Sequence, residues 1–297
     1  MIDSFAPVNP KLFDVFPRDH DGYPDSLAGE DTPDNLFAAC GSASRAFPKS
    51  FEIDPKDWAD KARDNDKHKT WAVNFIDRFT NQSPTHECTV HSLMRCIEAC
   101  WNRQRGMIYD GPRKNHRYPE SALFGSVWFS VLSVYAEANP RQWGGANVRQ
   151  VCEIAARRGV LPEKMQPREY NFKHTLVGTA GKGNSNQSSG PWVPLSKFPA
   201  GWQETAANFK PLEIIFPRSY EEAVCCVLNG LFVGVGRNGH AVPWGRYLPG
   251  QGMEYPDSYD LFRYDSERTV KSAWSGSFAI ATMSQPDDWQ KPAGEAA

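Results

Sequence analysis

An α+β fold, with helices leading and strands following, is what this sequence predicts. Three observations carry it. The first half holds runs of helical periodicity at 88–106, 122–138 and 147–159, bounded by turn or cap residues. The later half turns to short β-rich runs, LFVGVGR, HAVPWGRYL and SGSFAIATM, with turn residues between them. The two kinds of element are segregated along the chain, which argues against an alternating β/α arrangement.

The 297 residues suit one large domain or two small ones. Hydrophobic residues make up 40%, and 10 Trp, 17 Phe and 10 Tyr supply enough buried area for a packed core. A net charge of -2 gives no general attraction to nucleic acid or to an anionic membrane. Trp143, Trp244 and Trp274 accordingly read as core or cleft walls, not as a base-stacking platform. The start MIDSFAPVNPKLFDVFPRDHDGYPDS has no basic head and apolar stretch, and no run of about 18 apolar residues occurs. The expectation is a cytoplasmic or virion-associated protein without a signal peptide or membrane span. The seven cysteines, Cys40, Cys88, Cys96, Cys100, Cys152, Cys225 and Cys226, form no secreted disulfide pattern. No CxxC pair exists, and His86 and His91 near Cys88 lack a second cluster, so neither a metal nor another cofactor is expected.

Residues 1–70 are rich in Pro, Asp and Gly and read as an extended arm or loop layer, pinned to the body by Trp58 and Trp71. A regulatory pro-segment is the alternative. After the turn-like NQSPTHE comes CTVHSLMRCIEACWNRQRG, with Val90, Leu93, Met94, Ile97 and Trp101 forming one helical stripe and Gly106 stopping it. Cys88 thus stands at a helix N-terminus. ALFGSVWFSVLSVYAEA reads as a second helix, and NVRQVCEIAARRG as a third with Asn147 as cap and Gly159 as terminator. The Gly/Ser/Asn-rich stretch 178–192 divides a helical lobe (about 71–177) from a β-rich lobe (about 192–285). SYEEAVCCVLNG is a short amphipathic helix ahead of the strands, and the tail QKPAGEAA reads as frayed.

Cys88 alone is the profile of a core thiol. Its setting raises a second reading. The positive end of a helix dipole lowers a thiol pKa, and a thiolate nucleophile also needs a base, a group to orient that base, and oxyanion donors. Gln82 lies six residues before Cys88 and offers a side-chain amide beside the Cys88 N–H. His240 follows an apolar strand in the string Gly-His-Ala-Val.

Those strings resemble the papain-like cysteine peptidases over about residues 70–285. Gln82-Ser-Pro-Thr-His-Glu-Cys88 has the family's Gln-to-Cys spacing, and His240-Ala241-Val242 has its histidine strand. The Cys-to-His separation of 152 residues is close to the roughly 130–150 of such enzymes. Gly144-Gly145 before the third helix is similar to the family's substrate-binding turn. The resemblance implies a papain-like two-lobed α+β domain over 71–297 that hydrolyses peptide bonds through a Cys-His thioester mechanism. It implies Cys88 as nucleophile, His240 as base, Gln82 as oxyanion donor, and Gly144, Gly145 and Tyr259 as substrate-binding residues for a peptide or protein. The family's Asn-Ser-Trp-Gly string corresponds to Asp257-Ser258-Tyr259-Asp260, with Asp257 as the orienting residue. A rival alignment on Lys271-Ser272-Ala273-Trp274 puts Ser272 there instead. Glu87, directly before Cys88, disfavours a thiolate if it points inward. It and the altered string favour an alternative: a catalytically inert binding or structural protein of the same fold, held by a protein partner in an assembly such as a virion. An acyltransferase using the same pair is the third reading.

Overall fold

The computed structural model describes residues 33–76, 87–109, 127–138, 146–167, 194–237, 240–257, 261–272, 275–284 and 286. The fold is α+β. Helices α1 (Pro33–Cys40), α2 (Trp58–His68), α3 (Cys88–Gln104), α4 (Val131–Ala138), α5 (Val148–Arg158), α6 (Trp202–Ala207), α7 (Tyr220–Leu228) and α8 (Glu267–Ser272) accompany eight strands. These are β1 (Ser44–Arg45), β2 (Pro211–Ile215), β3 (Val233–Arg237), β4 (His240–Trp244), β5 (Arg246–Leu248), β6 (Gly252–Asp257), β7 (Leu261–Ser266) and β8 (Ser275–Met283).

Two sheets result. One has five strands in the order β1-β2-β8-β3-β4, and the other three in the order β5-β6-β7. The chain crosses from one to the other at Gly245, which splits the run expected as a single strand over HAVPWGRYL. A side chain there would collide with the Phe232 ring, since an added Cβ would lie 2.1 Å from it. The Gly245 N–H donates to Glu254 O at 3.0 Å, so β4 leads directly onto β6. That corner runs β4 back along β6, so the start of β4 at His240 meets the end of β6 at Asp257.

α3 lies across β3, β4 and β8 and forms the centre of the core. Val90, Leu93, Met94, Ile97 and Trp101 are all fully buried, as their stripe predicts. The opposite face is buried too: Thr89, His91, Ser92, Arg95, Glu98 and Asn102 are each at most 6% exposed. At its far end Arg103 donates to Ala281 O and Gln104 bonds both N–H and O of Met283, which fastens the helix to β8.

The Asn147 side chain caps α5 through the Gln150 N–H at 2.7 Å, and Ser219 caps α7 through the Glu222 N–H. Gly159 ends α5 at φ 91, where its missing side chain also lets the Ala206 carbonyl come close.

Two sequence expectations are corrected. Residues 33–70 are not a loop layer: they hold α1, α2 and strand β1, which joins the five-stranded sheet parallel to β2. α2 escaped notice because only Trp58, Ala62 and Asn65 face inward. Apart from Ala59 its remaining positions are ionisable, with exposed pairs such as Lys61–Asp64 and Asp64–His68 one turn apart. Trp58 and Trp71 do bury their rings, at 7% and 2% exposure. The second helix is also shorter than expected. Phe129 bridges to Pro162 in extended conformation, and the Ser130 hydroxyl accepts the Ser133 N–H at 3.1 Å. Ser130 acts as an N-cap inside an apolar run, so helix begins only at Val131. No helix among the described residues is long and apolar enough to cross a membrane.

Candidate active site

Cys88 is the first residue of α3, and Glu87 occupies the cap position. The N–H groups of a helix's first turn have no acceptor within the helix, so they and the dipole point positive charge at whatever sits there. Of the seven cysteines, Cys88 is the one that is not buried; none is in a disulfide.

The packing of α3 on β4 brings Cys88 to the start of that strand, where His240 stands. The thiol and the imidazole share a hydrogen bond. His240 Nε2 lies 3.3 Å from Asp257 Oδ1, across the corner between the two sheets. Asp257 is 4% exposed, and its other oxygen, Oδ2, is held by Arg263 Nε from β7. Four side chains from α3, β4, β6 and β7 therefore form one chain of contacts: Cys88, His240, Asp257, Arg263.

The electrostatics follow from that order. Burial pushes the Cys88 thiol up, but the His240 hydrogen bond and charge, the Ala241 backbone and the Thr89 hydroxyl outweigh it, and the net shift is downward. Burial pushes His240 down, yet the hydrogen bonds to Asp257 and Cys88 and the charges of both raise it to about 9. The two shifts work in the same sense: each favours the thiolate beside an imidazolium over the neutral pair. Burial is the largest influence on the other cysteines that shift: Cys96, Cys225 and Cys226 go up, and Cys100 to about 11.

No family model and no curated protein matches the chain. Several solved structures are similar, among them the following two. One is xylellain, a cysteine protease from Xylella fastidiosa, at 14% identity over 69% of this chain and 82% of that chain, with a TM-score of 0.46. The other comes from work on the mite allergens Blo t 1 and Der p 1, at 11% identity over 86% of this chain and 80% of that chain, with a TM-score of 0.43.

The structure brings Cys88, His240 and Asp257 together. Gln82, Gly144, Gly145 and Tyr259 lie outside the described residues, as does His86. Ser272, the rival for the orienting position, is the last residue of α8, and the adjacent Ala273 and Trp274 are outside the description. Glu87 is fully buried but turned toward His91, whose Nε2 is 3.6 Å from its Oε2 one turn along α3. Its charge is not among the influences on the Cys88 thiol. Among the described residues no group of three or more His, Cys, Asp or Glu is placed to hold a metal ion.

Two participants were missed in the sequence. Thr89, with its hydroxyl 4.0 Å from the Cys88 sulfur, carries no motif of its own. Arg263 lies in LFRYDS, and only the pairing of β6 with β7 turns that string toward Asp257.

Proposed function

We propose that the chain is a cysteine peptidase or amidase of the papain type, acting on a peptide or protein through a thioester on Cys88. The observation that carries the reading is the Cys88–His240–Asp257 contact chain, with its thiol pushed down and its imidazole pushed up.

In this reading the Cys88 thiolate attacks the amide carbonyl carbon. The resulting oxyanion is met by the Cys88 N–H at the helix start, with the Gln82 amide as second donor. As the C–N bond breaks, the His240 imidazolium gives its proton to the departing amine. Water, deprotonated by the now neutral His240, then hydrolyses the thioester. Asp257 holds the ring and stabilises its charged form, the task of the aspartate in other triads. Gly144, Gly145 and Tyr259 are assigned to substrate binding on the family resemblance.

The test is selective labelling. A peptidyl epoxide at neutral pH is expected to modify Cys88 ahead of the other six cysteines, with the adduct located by mass spectrometry, and to stop cleavage of an unfolded protein substrate. A Cys88 no more reactive than Cys100 or Cys225 in the folded protein defeats the reading and leaves an inert binding protein in its place. The pH profile adds a second check. Hydrolysis needs the thiolate and the imidazolium together, so kcat/KM rises as pH climbs through the depressed Cys88 value. It falls again as His240 loses its proton at about 9.

A further inference from the structure

Beyond the three residues of that reading, and resting on it, we infer that Arg263 is a positioning residue, clamping one oxygen of Asp257 so that the other is presented to His240. The two contacts divide the carboxylate cleanly: Oδ2 to Arg263 Nε, Oδ1 to His240 Nε2 at 3.3 Å.

Three physical points support a clamp over an incidental ion pair. First, the terminal torsion of an aspartate is broad, so a single hydrogen bond does not fix the carboxylate plane, whereas contacts on both oxygens do. Second, Asp257 is 4% exposed, so little water reaches it to satisfy Oδ2 if Arg263 is removed. Third, the strand register supplies the geometry. Asp257 pairs with Leu261 at the end of the β6–β7 ladder, and Arg263 is two residues along β7, opposite Tyr255. This makes Arg263 the diagonal neighbour of Asp257 on the same face, within reach of a long side chain. The guanidinium is planar and always charged, so its grip does not vary with pH as a histidine's would. Cys88 from α3 and Asp257 from β6 act directly on His240, and Arg263 acts through the latter.

A clamp and a plain charge predict opposite shifts. If Arg263 only adds positive charge near the ring, removing it eases protonation and raises the His240 pKa. If it positions Asp257, removing it lets the carboxylate turn away or take up a proton, and the His240 pKa falls. The experiment measures the His240 ring titration by NMR, together with kcat, KM and melting temperature, in the wild type, R263M, R263Q and R263K. Expected in R263M are a His240 pKa below its wild-type value of about 9 and a kcat reduced on the order of tenfold. KM stays within about twofold, the pattern of a residue that acts through Asp257 on the chemical step. R263K keeps the charge without the planar fork and recovers part of the loss. R263Q carries the same readouts if R263M does not fold. An unchanged or raised His240 pKa in a folded variant overturns the inference, as does a loss confined to melting temperature. Failure of the peptidase reading is a separate result: a wild type that does not hydrolyse peptides still reports, through the His240 titration, whether Arg263 sets the carboxylate.

Discussion

Replacing Cys88 with alanine is expected to remove hydrolysis, by a factor on the order of 10⁶ where the nucleophile is lost outright. The fold should barely notice. Cys88 is only partly buried at the first position of a helix, and alanine is the best helix former. A second consequence marks the variant as more than a missing nucleophile. His240 is raised to about 9 partly by the thiol it contacts, so without the sulfur its pKa falls toward the ordinary imidazole value. NMR titration of the His240 ring in C88A measures that fall, and peptide cleavage measures the activity. Retained cleavage in C88A is incompatible with a thioester on this residue.

The largest effect on stability is expected far from the thiol, on the polar face of the same helix. Glu87, His91, Arg95 and Glu98 follow at helical spacing, and each is at most 2% exposed. Arg95 Nη2 lies 2.6 Å from Glu98 Oε2, and Glu98 Oε1 accepts the Phe129 N–H at 3.1 Å. Glu98→Ala leaves a guanidinium and an N–H in the interior without their acceptor. A broken buried pair costs about 3–5 kcal/mol, which in a chain of this size lowers the melting temperature by roughly 10 °C. Glu98→Gln keeps one acceptor oxygen and falls between. The double change of Arg95→Met with Glu98→Leu removes both charges and recovers most of the loss, since the penalty belongs to the orphaned partner more than to the pair. Thermal unfolding of the four proteins checks the order. If E98A melts with the wild type, the Arg95–Glu98 contact is not holding the helix in place.

These cases show where the sequence was readable and where it was not. The apolar stripe of α3 and the caps Asn147 and Ser219 lie in local patterns, and local patterns survive in one dimension. The polar face of α3 was read past, because charged residues at helical spacing ordinarily face water, and here they face one another and the Phe129 N–H. α2 was invisible because three inward residues in eleven make no clear period. Strand β6 was hidden by Pro256, which discourages a strand assignment, yet Pro256 pairs with Phe262 near the strand's end. Asp257 was found through spacing from His240, but Arg263 depends on the β6–β7 register and the corner at Gly245, and neither can be read before the sheets are assembled. Gln82, Gly144, Gly145 and Tyr259 rest on the family resemblance alone.

The fastening of α3 at its far end bears on how the sulfur moves. At about 1.5 Å per residue, the 17 residues from Cys88 to Gln104 run roughly 25 Å from the thiol to the bonds with Ala281 and Met283. A rod buried on all sides and tied at its inner end opens only with the molecule as a whole. Its amides belong to the slowest class in hydrogen exchange, and fraying is left to the first turn. Cys88 therefore stands on the first turn of that shaft, where the helix has the fewest hydrogen bonds of its own.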